Sequence, residues 1–257
     1  MELDDPTKPE FASWRSYHEF ERGVRRRRRY VWDKKTQAFL DTVRATLKAR
    51  AVKISDRTIL YRAQRGIDYD PVQDDSGEEI AEEPHGFGRM RMKPLSNRAK
   101  EGRINAAGIP VLYLASSEVV AISEVRPWVG SEVSVAQFEV LRDLKAANLS
   151  LGHGQTAIDH LKFAHLLGEE EASAEEKEKA VWIDIDNAFS RPVTLSDDAA
   201  DYVPTQILAE LFREIGYDAI IYRSSFGEKG YNIALFSIAD AEPINCLPIR
   251  LEQVGLR

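Results

Sequence analysis

The sequence predicts an α+β fold with a helical N-terminal extension, on three observations. Phe11, Trp14, Tyr17 and Phe20 recur at the three- and four-residue spacing of one helix face, and Phe39, Leu40, Val43 and Leu47 repeat the pattern. Beyond residue 57, strand-sized apolar segments and helical segments are interleaved without the regular strand–helix–strand spacing of a doubly wound sheet. Near the end, Pro204 opens a helix with an apolar stripe of Ile207, Leu208, Leu211 and Ile215, and Gly216 closes it. Two apolar strands follow, at 218–222 and 231–238, around a Gly/Ser turn at 223–230.

Each remaining element has its own signal. No proline interrupts 10–70, so the N-terminal segment reads as two or three helices, with the five arginines at 25–29 between the two apolar runs. Strands begin at Thr58, Ile59, Leu60 and Tyr61. The stretch 67–86 holds eight acidic residues with prolines and glycines and reads as a mobile surface loop. Val111 to Leu114 is a short buried strand. Ser117 caps a helix over 118–125, which Pro127 stops. Val133 to Val140 alternates as a strand should. Residues 156–167 read as a helix, and the Glu/Lys run at 169–179 as a solvated helix or loop. There is no internal repeat.

Composition removes several classes of function. The chain has 257 residues, 43% hydrophobic and 30% charged, which suits a globular protein rather than a disordered one. No apolar run approaches the ~18 residues of a membrane helix, and the acidic Met1 to Asp5 segment has no apolar core, so neither a membrane span nor a secretory signal is expected. Cys246 is alone, which excludes an internal disulfide and a cysteine-based metal cage and makes the cytoplasm the expected compartment. Net charge is −7, but residues 1–50 carry 13 basic against 8 acidic residues. The basic head is therefore the part that could meet a nucleic acid or an acidic partner.

The residues that could carry chemistry are few. Glu124 lies near the carbonyl end of a short helix, where an acid is disfavoured. It reads either as an ion-pair partner of Arg126 or as a carboxylate held at an electron-poor centre in a cleft. Arg62 follows an apolar strand and reads as a surface arginine or as a bidentate holder of phosphate or carboxylate. Gly102-Arg103-Ile104-Asn105 reads as a phosphate contact or as a plain turn. Ser224 and Ser225 sit in a turn with Gly227 and Gly230, without the Gly-x-Ser-x-Gly elbow of a serine hydrolase. Gly86-Phe87-Gly88 lacks the third glycine of a dinucleotide fingerprint, and there is no Walker A lysine motif. His153, His160 and His165 lack zincin spacing. Asp184 and Asp186 read as alternate residues on one strand face, so no metal site is predicted. The arginine run, with only Tyr30 and Trp32 near it, reads as a solvated helix face, a partner patch or a phosphate contact.

Taken together, these pieces resemble the RES domain family, named for an Arg, a Glu and a Ser. The resemblance runs through Met92-Lys93-Pro94, the stretch from Glu101 to Ala115 (EGRINAAGIPVLYLA), and Ala121-Ile122-Ser123-Glu124-Val125-Arg126-Pro127-Trp128-Val129-Gly130. It resumes at Tyr222-Arg223-Ser224-Ser225 and Asn232-Ile233-Ala234-Leu235-Phe236, covering roughly 57–238. It implies a catalytic, NAD-binding RES domain over 56–257 and a helical extension over 1–55 like that of longer family members. The implied fold is related to ADP-ribosyltransferases, with mixed sheets and flanking helices. NAD+ is the implied substrate, with no separate cofactor; the implied cleavage releases nicotinamide by phosphorolysis, with inorganic phosphate as co-substrate, or by hydrolysis.

Carried over by motif, Arg62, Glu124 and Ser224 are the catalytic residues, and Tyr113, Arg103, Asn105, Asn232 and Ser225 bind the substrate. Tyr113 and Glu124 stand eleven positions apart. Arg223 departs from the proline that family members often carry there. Family members resemble toxins of toxin–antitoxin pairs, so a cognate antitoxin is an expected partner and the 67–86 segment a candidate lid. A homodimer is one option for the oligomeric state. Two other readings stay open: a protein mono-ADP-ribosyltransferase, and a non-catalytic module that binds nucleic acid or a partner through Arg25 to Arg29.

Overall fold

The computed structural model describes residues 9–95, 98–191, 199–226 and 230–252. The acidic segment at 1–5 and Gly227 of the expected turn lie outside the described residues. In chain order the elements are α1 (Ser16–Arg26), α2 (Lys34–Thr46), a 3-10 turn (Leu47–Arg50), β1 (Ala51–Ile54), β2 (Ile59–Arg65), β3 (Asp68–Gln73), β4 (Glu79–His85) and α3 (Arg89–Met92). There follow β5 (Leu112–Ala115), α4 (Glu118–Glu124), β6 (Glu132–Val140), β7 (Leu144–Leu149), a 3-10 turn (Ala157–His160) and α5 (Phe163–Leu167). The chain closes with α6 (Ala174–Ser190), a 3-10 turn (Ala199–Tyr202), α7 (Val203–Glu214), β8 (Ala219–Arg223), β9 (Tyr231–Leu235) and β10 (Ala241–Arg250). This is an α+β protein with a helical N-terminal region. No helix among the described residues is long and apolar enough to cross a membrane.

The chain divides into two compact units, neither continuous in sequence. The first takes residues 1–52, 101–106 and 145–222. Its N-terminal helices pack through aromatic rings: Phe20 stacks on Phe39 at 4.5 Å, and Phe11 lies 5.6 Å from Phe39. Strands β7 and β8 pair in parallel, Ala146 opposite Ala219 to Leu149 opposite Tyr222, and the crossover between them carries α5, α6 and α7. Pro204 sits in the first turn of α7, and Gly216 just beyond it has φ +90, the left-handed cap that glycine adopts without strain.

The second unit takes residues 53–100, 107–144 and 223–257. Its strands lie in the order β9-β5-β2-β6-β10, each pair antiparallel. Helix α4 lies on one face and buries Val120 and Ala121 against Ala63, Ala115, Val133 and Val135, with Tyr61 packed beside them. Ser117 caps α4 as expected, its hydroxyl accepting from the Val120 N–H. Strands β2 and β5 share a single paired position, Tyr61 opposite Ala115, whereas β2 and β6 pair along seven. Beyond Tyr61, therefore, β2 and β5 diverge.

Three local expectations need correction, and one strand has no counterpart among them. The acidic segment at 67–86 is a hairpin, not a loop: β3 and β4 pair from Asp68 opposite His85 to Gln73 opposite Glu79. Asp74 organises its turn by accepting from the Ser76 and Glu78 N–H groups at 2.8 and 3.0 Å. Asp184 and Asp186 belong to α6, not to a strand. That helix starts at a Ser173/Glu176 capping box and is buried on several sides, so its apolar run lacks the usual one-sided stripe. The predicted helix at 156–167 is two short pieces, a 3-10 turn and α5. Strand β10 escaped notice because it contains Pro243 and Pro248. It lies at the edge of its sheet, where missing N–H groups are tolerated.

Candidate active site

In the second unit, three side chains distant in sequence meet on the α4 face. Asn232, in β9, pairs opposite Ala115 and so points to the same side of the sheet. Its Nδ2 donates to Glu124 Oε1 at 2.6 Å, and the Ser224 hydroxyl lies 2.7 Å from the same oxygen. Ser224 Oγ also lies 2.9 Å from the Phe226 carbonyl and accepts from the Phe226 N–H at 3.2 Å. A hydroxyl has one proton, and a carboxylate is the stronger acceptor, so the bond to Glu124 dominates. Glu124 Oε2 has no hydrogen-bond partner among the described residues. Two neutral donors thus fix one carboxylate oxygen and leave the other open on a half-buried side chain.

Local packing brings these residues together. Glu124 is the last residue of α4, and Val125 and Arg126 turn the chain out of the helix. The loop bearing Ser224 is drawn onto α4 at Gly230, where a Cβ would come 2.2 Å from Val120 Cγ2. Only glycine fits there. The Gly230 carbonyl accepts from the Ser224 N–H at 3.1 Å, and Ser116 Oγ accepts from the Tyr231 N–H at 3.0 Å, which sets the start of β9 beside the helix. Cations flank the cluster: the Arg126 guanidinium covers the Phe226 ring at 4.2 Å, and Arg223 covers Tyr231 at 4.5 Å.

The other predicted site residues are placed as follows. Tyr113 shares the α4 face, since it lies two positions from Ala115 on β5. Ser225 is exposed beside Ser224. Arg62 alternates with Leu60 and Gln64 and faces away from α4, at the point where β2 and β5 part. Its Nη1 is buried without a hydrogen-bond partner among the described residues, and burial pushes its pKa down to about 10. No contact among the described residues joins it to Glu124, Ser224 or Asn232. Arg103 and Asn105 belong to the first unit. The Arg103 guanidinium donates to the Phe189 and Arg191 carbonyls at the end of α6, and its own carbonyl accepts from the Thr205 hydroxyl at 2.7 Å. Asn105 is buried, and Gln206 holds its turn by donating to the Gly102 and Asn105 carbonyls. Within that unit both residues hold the backbone in place.

A family model, the RES domain, matches residues 79–252. This chain belongs to the RES domain family. The matched span contains Tyr113, Glu124, Ser224 and Asn232, and begins after Arg62. Among solved structures, the RES chain is similar to a chain of the M. tuberculosis MbcT–MbcA toxin–antitoxin complex, at 15% identity and a TM-score of 0.39 over 79% of this chain and 90% of that one. A search of curated proteins finds no significant match. The sequence reads Arg126 as an ion-pair partner of Glu124 within a RES-like stretch and Arg223 as a departure from the family's proline, and neither reading places their guanidinium groups over aromatic rings. The clue to their position was the aromatic residue near each loop end, Phe226 and Tyr231.

Proposed function

We propose that this RES protein consumes NAD+, breaking the bond between nicotinamide and ribose with phosphate as the acceptor. The observation that carries the reading is the half-anchored carboxylate of Glu124, with Oε1 held by Ser224 and Asn232 and Oε2 open. In this reaction nicotinamide leaves with the electron pair of the C1′–N bond, and the ribose acquires oxocarbenium character. A phosphate oxygen then bonds to C1′ and gives ADP-ribose phosphate. A fixed negative charge beside the sugar favours that transition state over the ground state. Oε2 of Glu124 accepts from a ribose hydroxyl and supplies the charge, Ser224 and Asn232 keep the carboxylate from turning away, and Tyr113 orients the nicotinamide riboside from the same sheet face.

Arg62 supplies the anion-binding part of the reading. A guanidinium nitrogen buried without a partner carries a desolvation cost that a pyrophosphate or an incoming phosphate would offset. It stands where β2 and β5 diverge, on the sheet face opposite α4. In the cell such an enzyme would deplete NAD+ and act as a toxin, with an antitoxin as partner. Product analysis by mass spectrometry after incubating the full chain with NAD+, with and without phosphate, tests the reading. Phosphate-dependent ADP-ribose phosphate together with free nicotinamide is the expected result. ADP-ribose attached to protein would replace phosphorolysis with protein modification, and intact NAD+ would end the proposal.

A further inference from the structure

We infer that Arg65 is a positioning residue that holds Glu124 in its working orientation; the inference rests on the reading of Glu124 as the catalytic carboxylate. Arg65 lies at the end of β2, on the face shared with Tyr61 and Ala63 that carries α4. Its Nε donates to the Val125 carbonyl at 2.6 Å and its Nη2 to the Arg126 carbonyl at 2.8 Å. These carbonyls belong to the two residues directly after Glu124, and the guanidinium fork fits the pair as no lysine can. A cation here also lies at the carbonyl end of the helix, where positive charge is stabilising.

The turn that Arg65 grips is one the sequence resists. Arg126 has φ +46, a left-handed conformation that costs a non-glycine residue about 1–2 kcal/mol. Pro127 follows, and a residue before proline is pushed towards extended backbone. The last turn is tight, with the Val125 and Arg126 N–H groups donating three residues back to Ile122 and Ser123 at 3.2 and 3.1 Å. Without this grip on the two carbonyls, the backbone of Arg126 is freer to relax towards the extended region and the final turn of α4 to open. Glu124 is in that turn, and its 2.6 and 2.7 Å bonds to Asn232 and Ser224 leave little tolerance for displacement. Arg65 itself is exposed and lies 5.5 Å from the Trp128 ring, so its removal opens no cavity in the core.

The test compares the full-length protein with its Arg65→Met and Arg65→Lys variants in two measurements. The first is steady-state nicotinamide release. Arg65→Met should lower kcat about 10- to 100-fold, as a displacement of about 1 Å does, with KM for NAD+ changed less than about threefold. Arg65→Lys, which keeps the charge but loses the fork, should fall between the two. The second is amide hydrogen exchange, in which peptides covering 122–130 should exchange faster in Arg65→Met while the rest of the second unit is unchanged. Unchanged exchange there overturns the inference even if the protein proves not to release nicotinamide, an outcome that would by itself refute only the NAD+ reading. Faster exchange with wild-type kcat also overturns it. Should Arg65→Met fail to fold, Arg65→Lys decides by the same two readouts.

Discussion

Asp186 and Glu124 both sit among directed donors, and their surroundings differ in what they leave open. Asp186, in α6, is fully buried. Arg50 donates to both of its oxygens at 2.8 and 3.0 Å while stacking over Trp182 at 4.3 Å, and the Gly152 N–H donates to Oδ2 at 2.6 Å. No side of it is left for a ligand. Glu124 sits at a helix end, half exposed, with its donors gathered on one oxygen. The cation near Asp186 neutralises the carboxylate itself, whereas Arg65 grips the backbone beside Glu124 and leaves its charge available. A closed ion pair has no acceptor left to offer, whereas a half-satisfied carboxylate can stabilise something that arrives.

If the contrast holds, perturbing the two sites should have opposite signatures. Arg50→Met leaves Asp186 buried without its cation and should destabilise the protein by about 3–5 kcal/mol in denaturant unfolding. A loss under about 1 kcal/mol would show that Asp186 is not held as its geometry implies. Asn232→Ala removes one donor to Glu124. It should lower nicotinamide release by roughly 10- to 100-fold, from the roughly 1.5–3 kcal/mol of a hydrogen bond to a charged group, with a smaller change in melting temperature than Arg50→Met produces.

The smallest effect concerns pH. Burial raises Asp184 to about 6 despite the opposing His18 charge 3.3 Å away, and raises Asp186 to about 6 despite Arg50. Between pH 4 and 6 the folded state therefore binds more protons than the unfolded chain, and these groups make stability fall as pH rises through that window. Asp184→Asn should remove its share, so that the variant's advantage over the wild type grows as pH rises from 4 to 6.5, to roughly 1 kcal/mol once solvent screening is allowed for. Parallel melting curves for the two proteins would contradict the burial argument.

The regions differ in how legible they were. Helices with a one-sided stripe, α1, α2 and α7, follow from spacing, as do the cap at Ser117 and the proline and glycine that bound α7, because each signal is local. Helix α6 did not, because burial on several sides erases the stripe, and β10 did not, because its prolines are harmless only at an edge that sequence alone does not reveal. Within the site, Glu124, Ser224 and Asn232 were legible from the RES motifs. Arg65 was not, since its partners are backbone carbonyls and leave no trace in the pattern of side chains. The hold that Arg103 has on the end of α6 was not legible either, because it is a contact to a backbone carbonyl made across 86 residues of sequence.

The most direct measurement is nicotinamide release from NAD+ by the wild type and by Glu124→Gln at matched folding, checked by melting temperature. The substitution keeps the shape and removes the charge. The half-anchored carboxylate predicts a fall of about 100-fold or more with the melting temperature nearly unchanged. A folded Glu124→Gln protein that releases nicotinamide at the wild-type rate would contradict it.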